Sequence, residues 1–291
     1  MEGLIRVPVE GGELAVYDSG PAQAPTVLLL HGITASALSF VPVRRALSPA
    51  IRTLTVDLRG RGESAELPGP YGMTVHVRDL IAVLDHLEIE RVVVAGHSMG
   101  ATIAARLAHD HPQRVSALVL IDGGLPLPAP PDLDPDVVLE AIIGPAIARL
   151  SMEFTSVEDY FEFWRRHPAV GPAWSADVEA YLRYDLTGRP PRLRSRVSAE
   201  AVRVDGRDLL VGTQLPLEEV SVPMWLLRAG RGLLDEPGGL IPESTATAAA
   251  ATIPQLTLTN LPDLNHYTVV LGAGAEAVAA AIEEAAGMLG P

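Results

Sequence analysis

The stretch RVVVAGHSMGATIAAR (91–106) decides the fold. An apolar run over 92–95 has the length and valine content of a buried strand, and residues 101–109 carry a helical pattern. Between them stands Gly96-His97-Ser98-Met99-Gly100, a G-x-S-x-G string. A serine wedged between a strand and a helix must make a very sharp turn, and flanking glycines remove the Cβ atoms that would collide there. The hydroxyl of Ser98 is thereby presented above a sheet. Its position at a helix start favours negative charge nearby, and the N–H of Met99 is one donor for it.

Outward from this turn the same rhythm repeats. Residues 3–9 and 12–18 read as an antiparallel pair turned at Gly11-Gly12. The runs 26–30, 53–56, 92–95 and 117–121 are short and apolar on both faces, as interior strands of a parallel sheet should be. Helices are predicted near 37–47, 75–87 and 98–110. From Gly123 the rhythm breaks at LPLPAPPDLDPD (125–136), and the following segment holds most of the aromatics. Strand and helix return with 224–228, 243–251, 255–259 and a last helix over roughly 267–288. The expectation is a doubly wound, mostly parallel, eight-stranded α/β sheet. Its core comprises 1–124 and 213–291, and 125–212 form an inserted helical cap.

Composition narrows the class. The 291 residues are 48% hydrophobic and 20% charged, enough apolar material for a large core. All 22 basic residues are arginine, and 36 acidic ones bring the net charge to −14, which makes nucleic acid an unfavourable partner. There is no cysteine, hence no disulfide and no thiolate nucleophile. The N-terminal residues lack a signal-like pattern, and no run of about 18 apolar residues occurs. A cytoplasmic protein without a membrane partner is expected, as monomer or homodimer.

Three further places carry chemistry. His31-Gly32-Ile33 directly follows the strand 26–30, where a loop N–H, that of Ile33, would be a second donor to a developing oxyanion. Two such donors are worth roughly 3–4 kcal/mol each in a transition state. The bland reading of His31 is a satisfied core histidine. Asn265-His266-Tyr267 stands at the start of the last helix, where a general base belongs. His97 is read as facing away from the serine. For the acid that orients His266, the loop after 224–228 offers Asp235, with Glu236 adjacent; Asp122, ending the strand 117–121, is the rival. The order Ser98, Asp235, His266 is one this architecture uses for its triad.

Together, His31-Gly32, DLRGRGES (57–64), the elbow and Asn265-His266-Tyr267 resemble the α/β-hydrolase superfamily over nearly the whole chain. In that family the D-L-R-G-x-G-x-S segment is a structural turn, which implies scaffold roles for Asp57 and Arg59. The resemblance implies acyl chemistry: Ser98 attacks a carbonyl, His266 takes and returns the proton, and water releases the acid. Serine at the elbow sets the chain apart from dehalogenases and epoxide hydrolases of this fold, which use aspartate. No metal-ligand spacing or phosphate loop is present, so no cofactor is implied. The expected activity is that of a carboxylesterase on small to medium apolar molecules. Carbon–carbon, thioester or lactone hydrolysis, cofactor-free perhydrolysis and a non-catalytic ligand receptor use the same frame. Phe161, Trp164, Trp174 and Tyr181 either line the pocket or form the cap's own core.

Overall fold

In a computed structural model, residues 3–127, 133–211 and 215–287 are described. The first half alternates strands β1 (Leu4–Val9), β2 (Gly12–Ser19), β3 (Thr26–Leu30), β4 (Arg52–Val56), β5 (Val92–His97) and β6 (Val115–Ile121) with helices α1 (Val41–Ala46), α2 (Met73–His86) and α3 (Met99–Asp110). Between β6 and the next sheet strand lie α4 (Pro135–Arg149), α5 (Val157–Arg165), α6 (Ala176–Asp185), the hairpin β7 (Leu186–Arg189) and β8 (Arg192–Ser195), and α7 (Ala199–Val211). The chain then re-enters the sheet with β9 (Met224–Arg231), α8 (Glu243–Thr252), β10 (Leu256–Asn265), α9 (Thr268–Leu271) and α10 (Ala275–Gly287).

The main sheet has eight strands in the order β1-β2-β4-β3-β5-β6-β9-β10. β1 and β2 are antiparallel, β2 pairs antiparallel with β4, and the remaining pairs are parallel. Period-two alternation sends side chains to two apolar layers. Leu28, Leu30, Val94, Leu118 and Leu120 pack with residues of α2 and α3, whereas Val27, Leu29, Val93, Val119 and Leu227 pack with those of α1 and α10. Both faces are thus covered, which is why the central strands read as unbroken apolar runs.

Several details depart from expectation. The segment between β6 and β9 is not wholly helical, since Gly188 at φ 92° allows the tight β7–β8 hairpin. The predicted last helix is two, broken at Gly272 and Gly274, where a Cβ on Gly274 would stand 2.5 Å from the Val269 carbonyl oxygen. The proline-rich stretch falls partly, and the 212–213 boundary wholly, outside the described residues. Among the described residues, no helix is long and apolar enough to cross a membrane.

Candidate active site

Ser98 sits between β5 and α3 at φ 56°, a conformation that costs a non-glycine residue of order 1–3 kcal/mol. The turn holds because its neighbours leave no alternative. The Ser98 N–H donates to the Ile121 carbonyl at 2.9 Å, and α3 passes so close to β3 that a Cβ on Gly100 would lie 2.1 Å from the Leu30 carbonyl oxygen. Met99 is the first residue of α3, so its N–H falls outside the helical ladder.

His266 follows β10 and precedes α9. Asn265 fixes its place: the Asn265 side-chain oxygen accepts the N–H groups of Tyr267 and Thr268 at 3.0 and 2.9 Å, capping the short helix. The His266 carbonyl accepts Nε2–H of His97 at 2.9 Å, and the two imidazoles lie with centroids 4.6 Å apart and planes tilted by 39°. His97 therefore does not face away from the site; it walls the same cavity as Ser98 and His266. Burial first, and the neighbouring His266 next, hold His97 well below the usual histidine range.

The carboxylate on His266 is that of Asp122, not Asp235. Asp122 Oδ2 accepts Nδ1–H of His266 at 2.7 Å, and its other oxygen accepts the Ala229 N–H at 3.1 Å. With the proton on Nδ1, Nε2 of His266 keeps its lone pair. Asp122 is fully buried at φ 44°, with its N–H bonded to the Leu227 carbonyl at 2.8 Å. Asp235 is carried outward because the loop after β9 folds back on itself through the Arg231–Pro237 bridge. There it pairs with Arg231 and accepts the Asn265 amide at 3.0 Å. The hydrogen bond from Arg231 holds its carboxyl below the usual range. Asp235 touches the residue beside His266 rather than His266 itself. Glu236 turns back onto the Leu234 N–H at 2.8 Å.

The second expected oxyanion donor, Ile33, lies in a loop tied from both sides. His31 is fully buried; its Nε2 accepts the Leu58 N–H at 3.1 Å, so Nδ1 carries the proton and donates to the Gly32 carbonyl at 2.8 Å. Burial pulls its pKa down to about 3, and the ring stays neutral. On the other side Nε of Arg61 donates to the Ile33 carbonyl at 3.0 Å, which orients the loop at Ile33. Ile33 and Ser98 border one cavity.

The DLRGRGES turn is the hub of this scaffold. Asp57 accepts the N–H groups of Ala37 and Glu63 at 2.8 and 2.9 Å and the Tyr184 hydroxyl from α6, while burial pushes its pKa up to about 6. Arg59 forks onto Asp79 at 2.9 and 2.8 Å. Arg61 pairs with Asp205 of α7, whose carboxylate also accepts His76 Nε2–H at 3.0 Å and the Gly72 N–H at 2.7 Å. Sequence reasoning missed Asp205 and Tyr184, because nothing local marks a residue more than 120 positions away as the partner of a turn.

This hub gives a pH-dependent anchor. Burial alone would raise the Asp205 pKa, but Arg61 and His76 outweigh it and hold the carboxyl at about 2, against an ordinary 3.8. A depressed folded-state pKa stabilises above the unfolded value and loses that stabilisation as pH falls toward the folded one. The difference corresponds to about 2 kcal/mol. In urea unfolding, wild type should therefore exceed Asp205→Asn in stability near neutrality, and the gap should narrow between about pH 4 and pH 2.

Two cavities meet at Ser98. The inner one, about 60 Å³, is bordered by Ile33, His97, Tyr181, His266 and Tyr267. The outer one, about 340 Å³, lies between α3 and α7 and includes Met99, Thr102, Asp122 and Asp208. Of the aromatics singled out between β6 and β9, Tyr181 alone lines either cavity; Phe161 packs edge-on to Trp174 and Trp164 edge-on to Tyr160.

The sheet order, the serine turn after β5 and the histidine after β10 define a class by its architecture, the α/β-hydrolase fold. A family model for the alpha/beta hydrolase fold matches residues 25–157. Among named relatives, a Bacillus subtilis protein provisionally named 2-succinyl-6-hydroxy-2,4-cyclohexadiene-1-carboxylate synthase is 39% identical over 121 residues, 40% of this chain and 44% of that protein. A magnesium-chelatase 30 kDa subunit from Rhodobacter capsulatus is 40% identical over 98 residues, 33% of this chain and 34% of that one. The matches thus span less than half the length of these relatives. Among solved structures, E-2-(acetamidomethylene)succinate hydrolase superposes with a TM-score of 0.77 at 21% identity, covering 97% of this chain and 98% of the other. The thioesterase domain from the curacin biosynthetic pathway gives 0.75 at 21%, with the same coverage. At such identities the likeness is one of fold.

Proposed function

We propose that this chain is a serine hydrolase that cleaves carboxylic esters of small to medium apolar molecules through an acyl-enzyme. The observation that carries this reading is the Asp122–His266 hydrogen bond beside a serine held in a strained turn. A carboxylate on Nδ1 leaves Nε2 unprotonated and stabilises the imidazolium that forms when Nε2 takes a proton. In the proposed reaction the Ser98 oxygen bonds to the acyl carbon as its proton passes to His266. The oxyanion is received by the N–H groups of Ile33 and Met99. The carbon–oxygen bond to the alcohol breaks, and the alkoxide leaves with the proton from His266. Water then gives a proton to His266 as its oxygen adds to the acyl carbon; the bond from that carbon to the Ser98 oxygen breaks, the serine oxygen takes the proton back from His266, and the acid leaves. The names of similar proteins, two of them hydrolytic, support hydrolysis as the reaction type.

Intact-protein mass spectrometry after exposure to a fluorophosphonate tests this reading. A single adduct is expected, absent from Ser98→Ala, together with p-nitrophenyl ester turnover by the wild-type protein. Folded protein that takes no adduct would overturn the assignment of Ser98 as nucleophile.

A further inference from the structure

Among the described residues, no arginine, aspartate or glutamate lines the inner cavity. Its titratable side chains are His97, His266, Tyr181 and Tyr267, and the rest of its lining is aliphatic, glycine, serine or threonine. Burial raises both tyrosines, Tyr267 to about 12, so neither contributes charge near neutrality. The guanidinium groups nearest to it are already committed. Arg149, which reaches the Thr34 carbonyl at the cavity wall, is paired with Asp185 and also donates to Tyr160 and Ser195. Arg61, behind Ile33, is paired with Asp205.

The outer cavity is biased toward negative charge. Asp122 and Asp208 border it, and its one cation among the described residues, Arg106, forms an ion pair with Asp110 at 2.5 Å. The chain has no lysine, and neither 128–132 nor 212–214 contains a basic residue. A net charge of −14 adds a long-range field of the same sign.

Resting on the hydrolase reading above, we propose that this site selects uncharged acyl compounds and rejects those bearing a carboxylate close to the scissile bond. A carboxylate entering the inner cavity would lose its water and find no cation to replace it, a heavy desolvation cost. In the outer cavity it would face Asp208 with part of its hydration intact, a smaller penalty. The two volumes add a size rule: the arm in the inner cavity is only a few heavy atoms long, and the larger arm lies outside.

Paired esters test this with the wild-type protein. p-Nitrophenyl butyrate against mono-p-nitrophenyl succinate places the charge on the acyl arm, and phenyl acetate against 4-acetoxybenzoate places it on the alcohol arm. The neutral member should win both comparisons. Its kcat/KM should be higher on the order of 100-fold for the arm that enters the inner cavity and about tenfold for the other. The larger preference should persist at high ionic strength, since desolvation is not screened by salt. Either anionic ester turned over within about threefold of its neutral partner would overturn the proposal while leaving the hydrolase reading intact. No turnover of any of the four, with no fluorophosphonate adduct on Ser98, would bring down both.

Discussion

Asp122→Asn is expected to lower kcat/KM for a p-nitrophenyl ester on the order of 10⁴-fold, whereas Asp235→Asn should stay within about threefold of wild type. The asymmetry follows from what surrounds Asp122. One of its oxygens accepts the Ala229 N–H, so an asparagine there keeps its carbonyl oxygen on that donor and turns its amide toward His266. The amide N–H then faces Nδ1 and demands a lone pair, which forces the imidazole proton onto Nε2. A histidine in that tautomer has nothing with which to accept the serine proton. The geometry survives while the base is lost, a pattern known for the corresponding substitution in a serine protease. Asp235→Asn weakens the ion pair to Arg231 and leaves Nδ1 of His266 on Asp122. Thermal melts beside the kinetics separate lost chemistry from lost folding. A severe, melt-neutral loss in Asp235→Asn alone would return the orienting role to the loop after β9.

Gly123→Ala should damage both folding and alignment at the site. The residue after Asp122 runs against the serine turn so closely that a Cβ would lie 2.3 Å from the Ser98 carbonyl oxygen and 2.7 Å from its Cα. Both are backbone atoms, so no rotamer change relieves the overlap. Either the turn after β6 withdraws, pulling Asp122 from His266, or the serine turn shifts out of line. Overpacking of this kind costs about 3 kcal/mol, and a misplacement of about 1 Å costs on the order of 100-fold in rate. Calorimetry should show Tm lowered by roughly 5 °C for a chain of 291 residues. kcat should fall more than KM changes, because the damage is to alignment rather than to the cavity. A variant with unchanged Tm and kcat would mean that the two turns are not pressed together.

The two expectations concern the same contact from opposite sides. Ser98 and Asp122 end adjacent strands, joined by the hydrogen bond from the Ser98 N–H to the Ile121 carbonyl, and each lies at positive φ. Ser98 and Asp122 are strained neighbours across β5 and β6, and Gly123 is the residue small enough to let the two turns meet.

The sequence by itself determined the α/β architecture, the position of Ser98 between a strand and a helix, and the place of His266 before the last helices. These are local matters. Apolar runs of strand length, glycines at a sharp turn and a histidine behind a strand are each written within a dozen residues. The tertiary structure alone decided which carboxylate meets His266. Asp122 and Asp235 both follow strands, β6 and β9, that lie side by side, so chain order and spacing treat them alike. Register and loop path separate them: Asp122 stops at the end of β6 with its N–H on Leu227, while the loop after β9 bends back and takes Asp235 to the surface. The same limit hid the ties of Arg61 to Asp205 and of Asp57 to Tyr184, and the commitment of each arginine beside the inner cavity to an acid. A charge's partner is set by contacts between distant segments, and those exist only once the sheet and the segment between β6 and β9 have closed on one another.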